Sequence, residues 1–380
     1  MQYQLTEQQE MIRQTVQEIV KDKVSPRAAE IDEADEFPWD IFEIFREADL
    51  LGLGMPEEYG GVGADTLTVC LAIEEIARGS VACTAIITAQ ELGSKPILLA
   101  GNEEQKQRYL PRIAKGEYIS AFGLTEPDAG SDAVAIQTRA ALDGDSYTLN
   151  GRKCFISQGS VAHIFSVFAK TDPTAKGARG ISAFAVDRNT PGFSIGKVER
   201  KMGVHGVPNA ELLFDDCHIP QENLLGKEGE GFRIAMKTLD LTRPLIACQG
   251  LGVAQGAFDY AVNYANQRVQ FGQTIIHFQG LQFMLADMAI EIEAARQLTY
   301  KAATLIDQGS EEIAKFGAMC KCFASDVAMS VTTNAVQVLG GYGYMKDHPL
   351  ERMMRDAKLI QIWEGTNEIQ RLVVSRALVR

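Results

Sequence analysis

Long apolar runs are missing from this chain. Its most apolar stretch, Ala82 to Ala100, is interrupted by Gln90, Glu91 and Lys95, and no unbroken run reaches the ~18 residues of a membrane span. Basic charge is scarce as well. Against 50 Asp and Glu stand 37 Lys and Arg, for a formal net charge of −13. A nucleic-acid surface needs a basic face, so that class of partner is excluded. An anionic small molecule is not, because local arginines and helix N-termini bind anions whatever the net charge. The five histidines are scattered without an HExxH-like pair, which argues against a metal. Cys70, Cys83, Cys154, Cys217, Cys248, Cys320 and Cys322 form an odd set without CxxC spacing. That set suits neither a disulfide framework nor a zinc site. The thiols read as reduced packing residues of a cytoplasmic protein. The start, MQYQLTEQQE, is polar and acidic, unlike a signal peptide.

What is present is a large amount of ordinary globular sequence. The 380 residues exceed the ~250–300 at which a single core stops growing, so two or three domains are expected. Residues 1–120 read as helices. Thr6 and Gln9 form a T-x-x-Q capping box, followed by Ile12, Val16, Ile19 and Val20 at helical spacing. Further helical stretches cover Trp39–Ala48, Thr66–Arg78, Ala82–Leu99 and Glu103–Lys115. Residues 121–228 change to short alternating runs, with Asn150-Gly151 expected to turn a hairpin between Tyr147–Leu149 and Lys153–Ile156. Residues 229–380 return to helical spacing in four long segments, with a last helix after Thr366. The fold class is α+β: helical, then β, then a C-terminal helical bundle.

Several motifs have bland readings. Gly250-x-Gly252-x-x-x-Gly256 lacks the preceding strand and the spacing of a dinucleotide fingerprint. Small residues that let helices approach closely explain it better. FGLTEPDAGSD, Phe122–Asp132, is either a turn-rich connector or a loop exposing N–H and hydroxyl groups to a polar ligand. Gln337–Gly341 and Arg268–Gly272 each suit an ordinary helix end. In IWEGTNEIQR, Glu364 sits between Trp363 and Gly365. Apolar surroundings would raise its pKa, as a general base for a weakly acidic C–H requires. A glutamate capping the last helix is the plain alternative.

Taken in order, FGLTEPDAGSD, NGRKCFIS, TLDLTRP, QRVQFG, AVQVLGGYGY, MRDAK and IWEGTNEIQR make the chain resemble the acyl-CoA dehydrogenase family over essentially its whole length. The family fold is an N-terminal helical domain, a middle β-domain and a C-terminal four-helix bundle, in agreement with the α-β-α reading. The resemblance implies FAD as cofactor, an acyl-CoA substrate, an electron-transfer flavoprotein as electron acceptor, and a homotetramer. Phe122, Leu124 and Thr125 would contact the edge of the flavin ring, and Phe155 and Ser157 would cover it. Arg268 and Phe271 would reach the FAD of a neighbouring subunit. Gln279 and Gln337, Val338, Leu339, Gly340 and Gly341 would hold its adenosine half, and Thr366 and Glu368 would cap the cofactor. Ser131, Asp240 and Arg243 match positions that contact the CoA moiety, while Thr88, Trp363 and Gly365 would lie at the acyl pocket. Glu364 matches the catalytic base. It would remove the α-proton of the thioester while the β-hydrogen leaves as hydride to the flavin. In some members the base stands instead at the position of Thr242, which cannot serve.

Three positions depart from the commonest family pattern: Trp363 for tyrosine, Phe155 for tryptophan, and Glu368 where glutamine also occurs. Glu91, in the apolar stretch expected to line the acyl end, is either a paired glutamate or a second acid/base suited to an alicyclic or unsaturated acyl group. Three other activities share these residues: an enoyl-CoA reductase in an electron-bifurcating complex, a non-catalytic CoA- or flavin-binding protein, and a flavin oxidase.

Overall fold

The structure, a computed structural model, describes residues 4–379. Residues 1–3, part of the polar start read above as unlike a signal peptide, lie outside that range. The helical N-terminal part comprises α1 (Glu7–Ile19), α2 (Ser25–Ala34), α3 (Trp39–Glu47), α4 (Thr66–Gly79), α5 (Val81–Ala100) and α6 (Glu103–Ala114). The expected capping box starts α1: Gln9 donates its N–H to the Thr6 hydroxyl at 3.2 Å, and Thr6 donates to the Gln9 side chain at 3.0 Å. A π turn at Val20–Val24 joins α1 to α2 just before Pro26. The wider turn absorbs the disruption that a ring without an N–H imposes on an α ladder. α4 and α5 are buried nearly all round, as helices without a polar face must be.

The middle part is one sheet. Its strands are β1 (Ser120–Gly123), β2 (Arg139–Asp143), β3 (Ser146–Ser157), β4 (Ile164–Lys170), β5 (Ile181–Asp187), β6 (Phe193–Val198), β7 (Asn209–Pro220) and β8 (Leu224–Leu225). They run in the order β6-β7-β3-β2-β4-β5-β8, with β1 parallel to β4. α5 lies close on β1, because a Cβ at Gly93 would stand 2.6 Å from the Ala121 nitrogen. The expected hairpin at Asn150-Gly151 is not there. β3 passes straight through those residues, and the turn falls earlier, where Gly144 has φ 63° between β2 and β3. Asn150-Gly151 forms instead a break in register against β7. Asn150 exchanges two hydrogen bonds with Asp216, at 3.0 and 2.9 Å. A Cβ on Gly151 would lie 2.4 Å from the Thr138 hydroxyl. The glycine is there for close approach across the sheet, a use that resembles a turn signal in sequence.

The C-terminal part contains α7 (Gly231–Gln267), a small hairpin of β9 (Val269–Gln270) and β10 (Gln273–Thr274), then α8 (Gln279–Asp307), α9 (Ile313–Leu339), α10 (Leu350–Ile360) and α11 (Asn367–Leu378). α7 packs on α8 and α9 and also against α4. The glycine series in α7 does what close packing requires. A Cβ at Gly252 would stand 2.2 Å from the Glu74 carbonyl oxygen, and one at Gly256 2.4 Å from that of Arg78. Gly252→Ala must therefore push α4 from α7. It is expected to destabilise the fold by about 1–3 kcal/mol and to lower the thermal midpoint; an unchanged midpoint would show that the two backbones are not in contact.

Candidate active site

The turn from α10 to α11 carries the most constrained backbone in the cavity wall. Glu364 has φ 50° and Gly365 φ 93°, so two consecutive residues are left-handed and one of them has a Cβ. Such a residue costs roughly 1–3 kcal/mol and persists where its surroundings hold it. The Gln370 amide donates to the Glu364 carbonyl at 3.1 Å and to the Gly365 carbonyl at 2.8 Å. Lys321, fully buried on α9, donates to the same Gly365 carbonyl at 2.8 Å and to the Asn367 side chain at 3.0 Å. Thr366 closes the turn as N-cap of α11.

The Glu364 carboxylate accepts the Thr242 hydroxyl at 2.6 Å and opens partly into the cavity. Loss of surrounding water lifts its pKa to about 7, against the opposing effects of the Thr242 hydrogen bond, Arg243 and Lys321. A carboxyl that titrates near neutrality can both take and return a proton.

The cavity holds about 930 Å³ and lies between the sheet, α5, α7 and the Glu364 turn. Phe122, Leu124, Thr125, Ser131, Phe155 and Ser157 line its sheet side; Thr88, Arg243, Trp363, Gly365 and Thr366 line the helical side. Phe155 has φ 58° where β3 shifts register, and its ring stands 62% exposed, offering a flat apolar face to the cavity. Under the Leu124–Thr125 segment lies an ion pair that the sequence reading missed. The buried Lys153 ammonium donates to Glu126 at 2.6 Å and to the Leu124 carbonyl at 3.1 Å. Burial pushes Lys153 down to about 8 against the pull of Glu126. Burial also works to raise Glu126, but Lys153 and the Gln137 and Thr138 N–H groups hold it below its usual range.

Arg243 is 3% exposed and pairs with Asp240, which does not itself line the cavity. Burial raises Asp240 above the usual carboxylate range despite that partner. Three residues of the wall keep a buried polar atom without a protein partner: Arg243 Nε, Asn209 Oδ1 and Trp363 Nε1. Unpaired buried polar groups are costly, so together they fit a ligand with both donors and acceptors.

Glu91 does not line the cavity. On α5 the cavity face is made by Ala85, Thr88, Ala89 and Leu92. Glu91 and Lys95 share a different face, where they pair at 2.9 Å, with Glu91 against Gly54. Glu91 is thus a buried, paired glutamate, and the expectation that it serves as a second acid/base in the pocket is withdrawn. Glu368 is exposed at the start of α11, outside the cavity wall.

The remaining expected residues gather elsewhere. Arg268, Phe271 and Gln337–Gly341 line a second depression of about 600 Å³, and Gln279 follows its wall residue Phe278. The Arg268 guanidinium lies 5.5 Å from the Tyr342 ring centroid. Phe271, φ 50°, is 95% exposed. Sequence reasoning also missed Lys321, Gln249 and Gln370. Lys321 alone left a trace, a lysine inside the apolar helical run AMCKCF.

Comparison with known proteins bears on the whole chain. Residues 6–117, 121–217 and 229–379 match the N-terminal, middle and C-terminal domain models of acyl-CoA dehydrogenase. The chain is 49% identical to a Clostridium acetobutylicum protein named short-chain-specific acyl-CoA dehydrogenase, with 100% of each covered. Among solved structures, butyryl-CoA dehydrogenase from Megasphaera elsdenii superposes with TM-score 0.97 at 44% identity, over 100% of both chains. A chain described under the electron transferring flavoprotein of Acidaminococcus fermentans and flavin-based electron bifurcation superposes with TM-score 0.98 at 51% identity, again over 100% of both. The chain therefore belongs to the acyl-CoA dehydrogenase family of FAD-dependent oxidoreductases, with that family's helical, β and helical architecture.

Proposed function

We propose that this protein converts a short acyl-CoA to its 2-enoyl-CoA, with Glu364 as the base. The observation that carries this reading is a glutamate held in a strained turn at the cavity, with a pKa of about 7. Thr242 and the left-handed backbone fix which way the carboxylate faces. Orientation of this kind replaces an entropic cost at the moment of reaction. Phe155, Ser157, Thr125 and Leu124 would hold the isoalloxazine of FAD, which when bound supplies the two-electron acceptor for the β-hydrogen. Ser131 and Arg243 would hold the CoA moiety, with Asp240 fixing Arg243 from outside the cavity wall.

The acyl end is short in this reading. Ala85, Ala89, Leu92, Leu239 and Ile246 make it apolar. Behind Thr88 lies Gln249, fully buried, whose amide donates to the Thr84 hydroxyl at 2.7 Å and the Thr88 hydroxyl at 3.0 Å. A long chain would have to break this network and leave its polar groups unpaired.

Arg268, Phe271, Gln279 and the Gln337–Gly341 turn would serve the FAD of a neighbouring subunit. An almost bare Phe271, with Phe283 and Ile290 exposed on α8, supports a homotetramer in which such surface is covered. Among the described residues no helix is long and apolar enough to cross a membrane, and all seven cysteines are free and buried. The free cysteines support a cytoplasmic enzyme. Electrons would pass to an electron-transfer flavoprotein. The similarity to the chain from the bifurcation study favours a second reading, enoyl-CoA reduction within a bifurcating assembly. A carboxyl near pH 7 serves as acid or base, so Glu364 suits both. Turnover of reduced flavoprotein plus crotonyl-CoA against turnover of butyryl-CoA plus an artificial acceptor separates the two.

Glu364→Gln is expected to keep FAD and lose about 10³-fold or more in kcat with butyryl-CoA; retained turnover would remove the base from this account. The pH dependence follows in sign. The base must be ionised, so kcat/KM should rise with pH through about 7 and level above it; a profile already flat from pH ~5 upward would contradict the raised pKa. Gln249→Ala opens the acyl end, and the ratio of octanoyl- to butyryl-CoA activity should rise by about tenfold, the value of one or two buried methylenes. An unchanged ratio would place the end of the pocket elsewhere.

A further inference from the structure

We propose that Lys321 is a positioning residue of the reaction, a buried cation that holds the Glu364–Gly365 turn and keeps the base ionised enough to work. This rests on Glu364 being the base. Lys321 is fully buried near the middle of α9, and the two acceptors found for it among the described residues are the Gly365 carbonyl and the Asn367 side chain. Both belong to the turn that carries Glu364 and to the first residue of α11.

Stability alone does not account for such a lysine. Burying an ammonium is costly, and the N-terminus of a helix, here α11, is the end that disfavours a cation. Burial pushes Lys321 down to about 8, with Glu364 pulling the other way. An uncharged residue with a good core shape would relieve these costs. What the lysine adds is a donor to the carbonyl of Gly365, which directly follows the left-handed Glu364, and a positive charge near enough for the two groups to affect each other's ionisation.

Two cations act on the carboxylate. Arg243 on α7 pulls Glu364 down more strongly than Lys321 does, but it pairs with Asp240 and, among the described residues, gives no hydrogen bond to the turn. On α9, Asp326 accepts from Asn367, Gln361 and Arg371, each at 2.7 Å, and Cys322 is a buried thiol pushed up by its burial. On α11, Glu368 is exposed and Arg371 holds Asp326. On α10, Lys358 donates to Gln361 at 2.9 Å. Lys321 is thus the cation on α9 whose bonds are spent on the base turn.

Two substitutions in the FAD-loaded protein test this. Lys321→Met removes both charge and donor; Lys321→Gln keeps an amide donor and removes the charge. The acid limb of kcat/KM for butyryl-CoA should move to higher pH by about one unit in both, with the larger loss of kcat in Lys321→Met. Lys321→Arg, which keeps the charge, should restore the limb. A purely structural lysine would lower kcat or FAD content and leave the limb in place, and an unmoved limb in Lys321→Gln overturns the proposal even if Lys321→Met fails to fold. Glu364→Gln assayed beside them separates the two levels: if it stays active, the base assignment fails; if it is inactive and the limb in Lys321→Gln is unmoved, only the role of Lys321 fails.

Discussion

One carboxylate taken out of water governs the design of this site. Raising Glu364 from its ordinary value to about 7 corresponds to roughly 3 kcal/mol between its two protonation states. The folded protein keeps a proton there that the unfolded chain has lost, so this group weakens the fold as pH rises from the ordinary carboxylate range to about 7. The left-handed backbone at Glu364 adds strain. Both penalties fall on one residue, and both are met by neighbours fixed from outside the turn. Thr242 comes from α7, Lys321 from α9 and Gln370 from α11.

Those neighbours in turn need the domains locked together. α4 and α7 touch backbone to backbone through Gly252 and Gly256. α5 meets the sheet at Gly93 and supplies Thr88 to the cavity. Across the far side, Arg355 of α10 donates to Asp32 of α2 at 2.6 Å and to the Met202 carbonyl at 3.2 Å, so one side chain ties all three regions. On the sheet side, the buried Lys153–Glu126 pair braces the Leu124–Thr125 segment across the cavity from Glu364. Removing one member of such a pair would leave an uncompensated buried charge, and the intact pair fixes the backbone of the wall proposed to meet the flavin.

Much of this was legible in the sequence because it rests on local pattern. The 3.6-residue period and capping signals put most of the helices within a few residues of their observed ends, though α2 has no such signal, and the glycines of α7 read correctly as packing. Trp363 and Gly365 suggest an apolar surround for Glu364 but leave a helix-capping glutamate open without the family resemblance. Legibility ended where partners are distant in sequence. Asn150-Gly151 has the composition of a turn, and its role as a register break depends on Asp216 and Thr138. Glu91 and Thr88 differ only in which face of α5 they occupy, and the sequence does not say which face meets the cavity. Lys321 and Glu364 are 43 positions apart, and nothing in either segment names the other. Arg268, Phe271 and Gln337–Gly341, far apart in sequence, gather at a second depression, which is the ground for proposing that they act together.

Everything at this site follows from Glu364 being pushed up to about 7 by the loss of surrounding water. Infrared difference spectra of the FAD-loaded protein, taken across a pH series and compared with Glu364→Gln, measure this directly. A protonated carboxyl band that disappears with a midpoint near 7, and is absent from the variant, is the predicted result. A Glu364 carboxylate already ionised down to the ordinary glutamate range, ~4.3, would contradict the account.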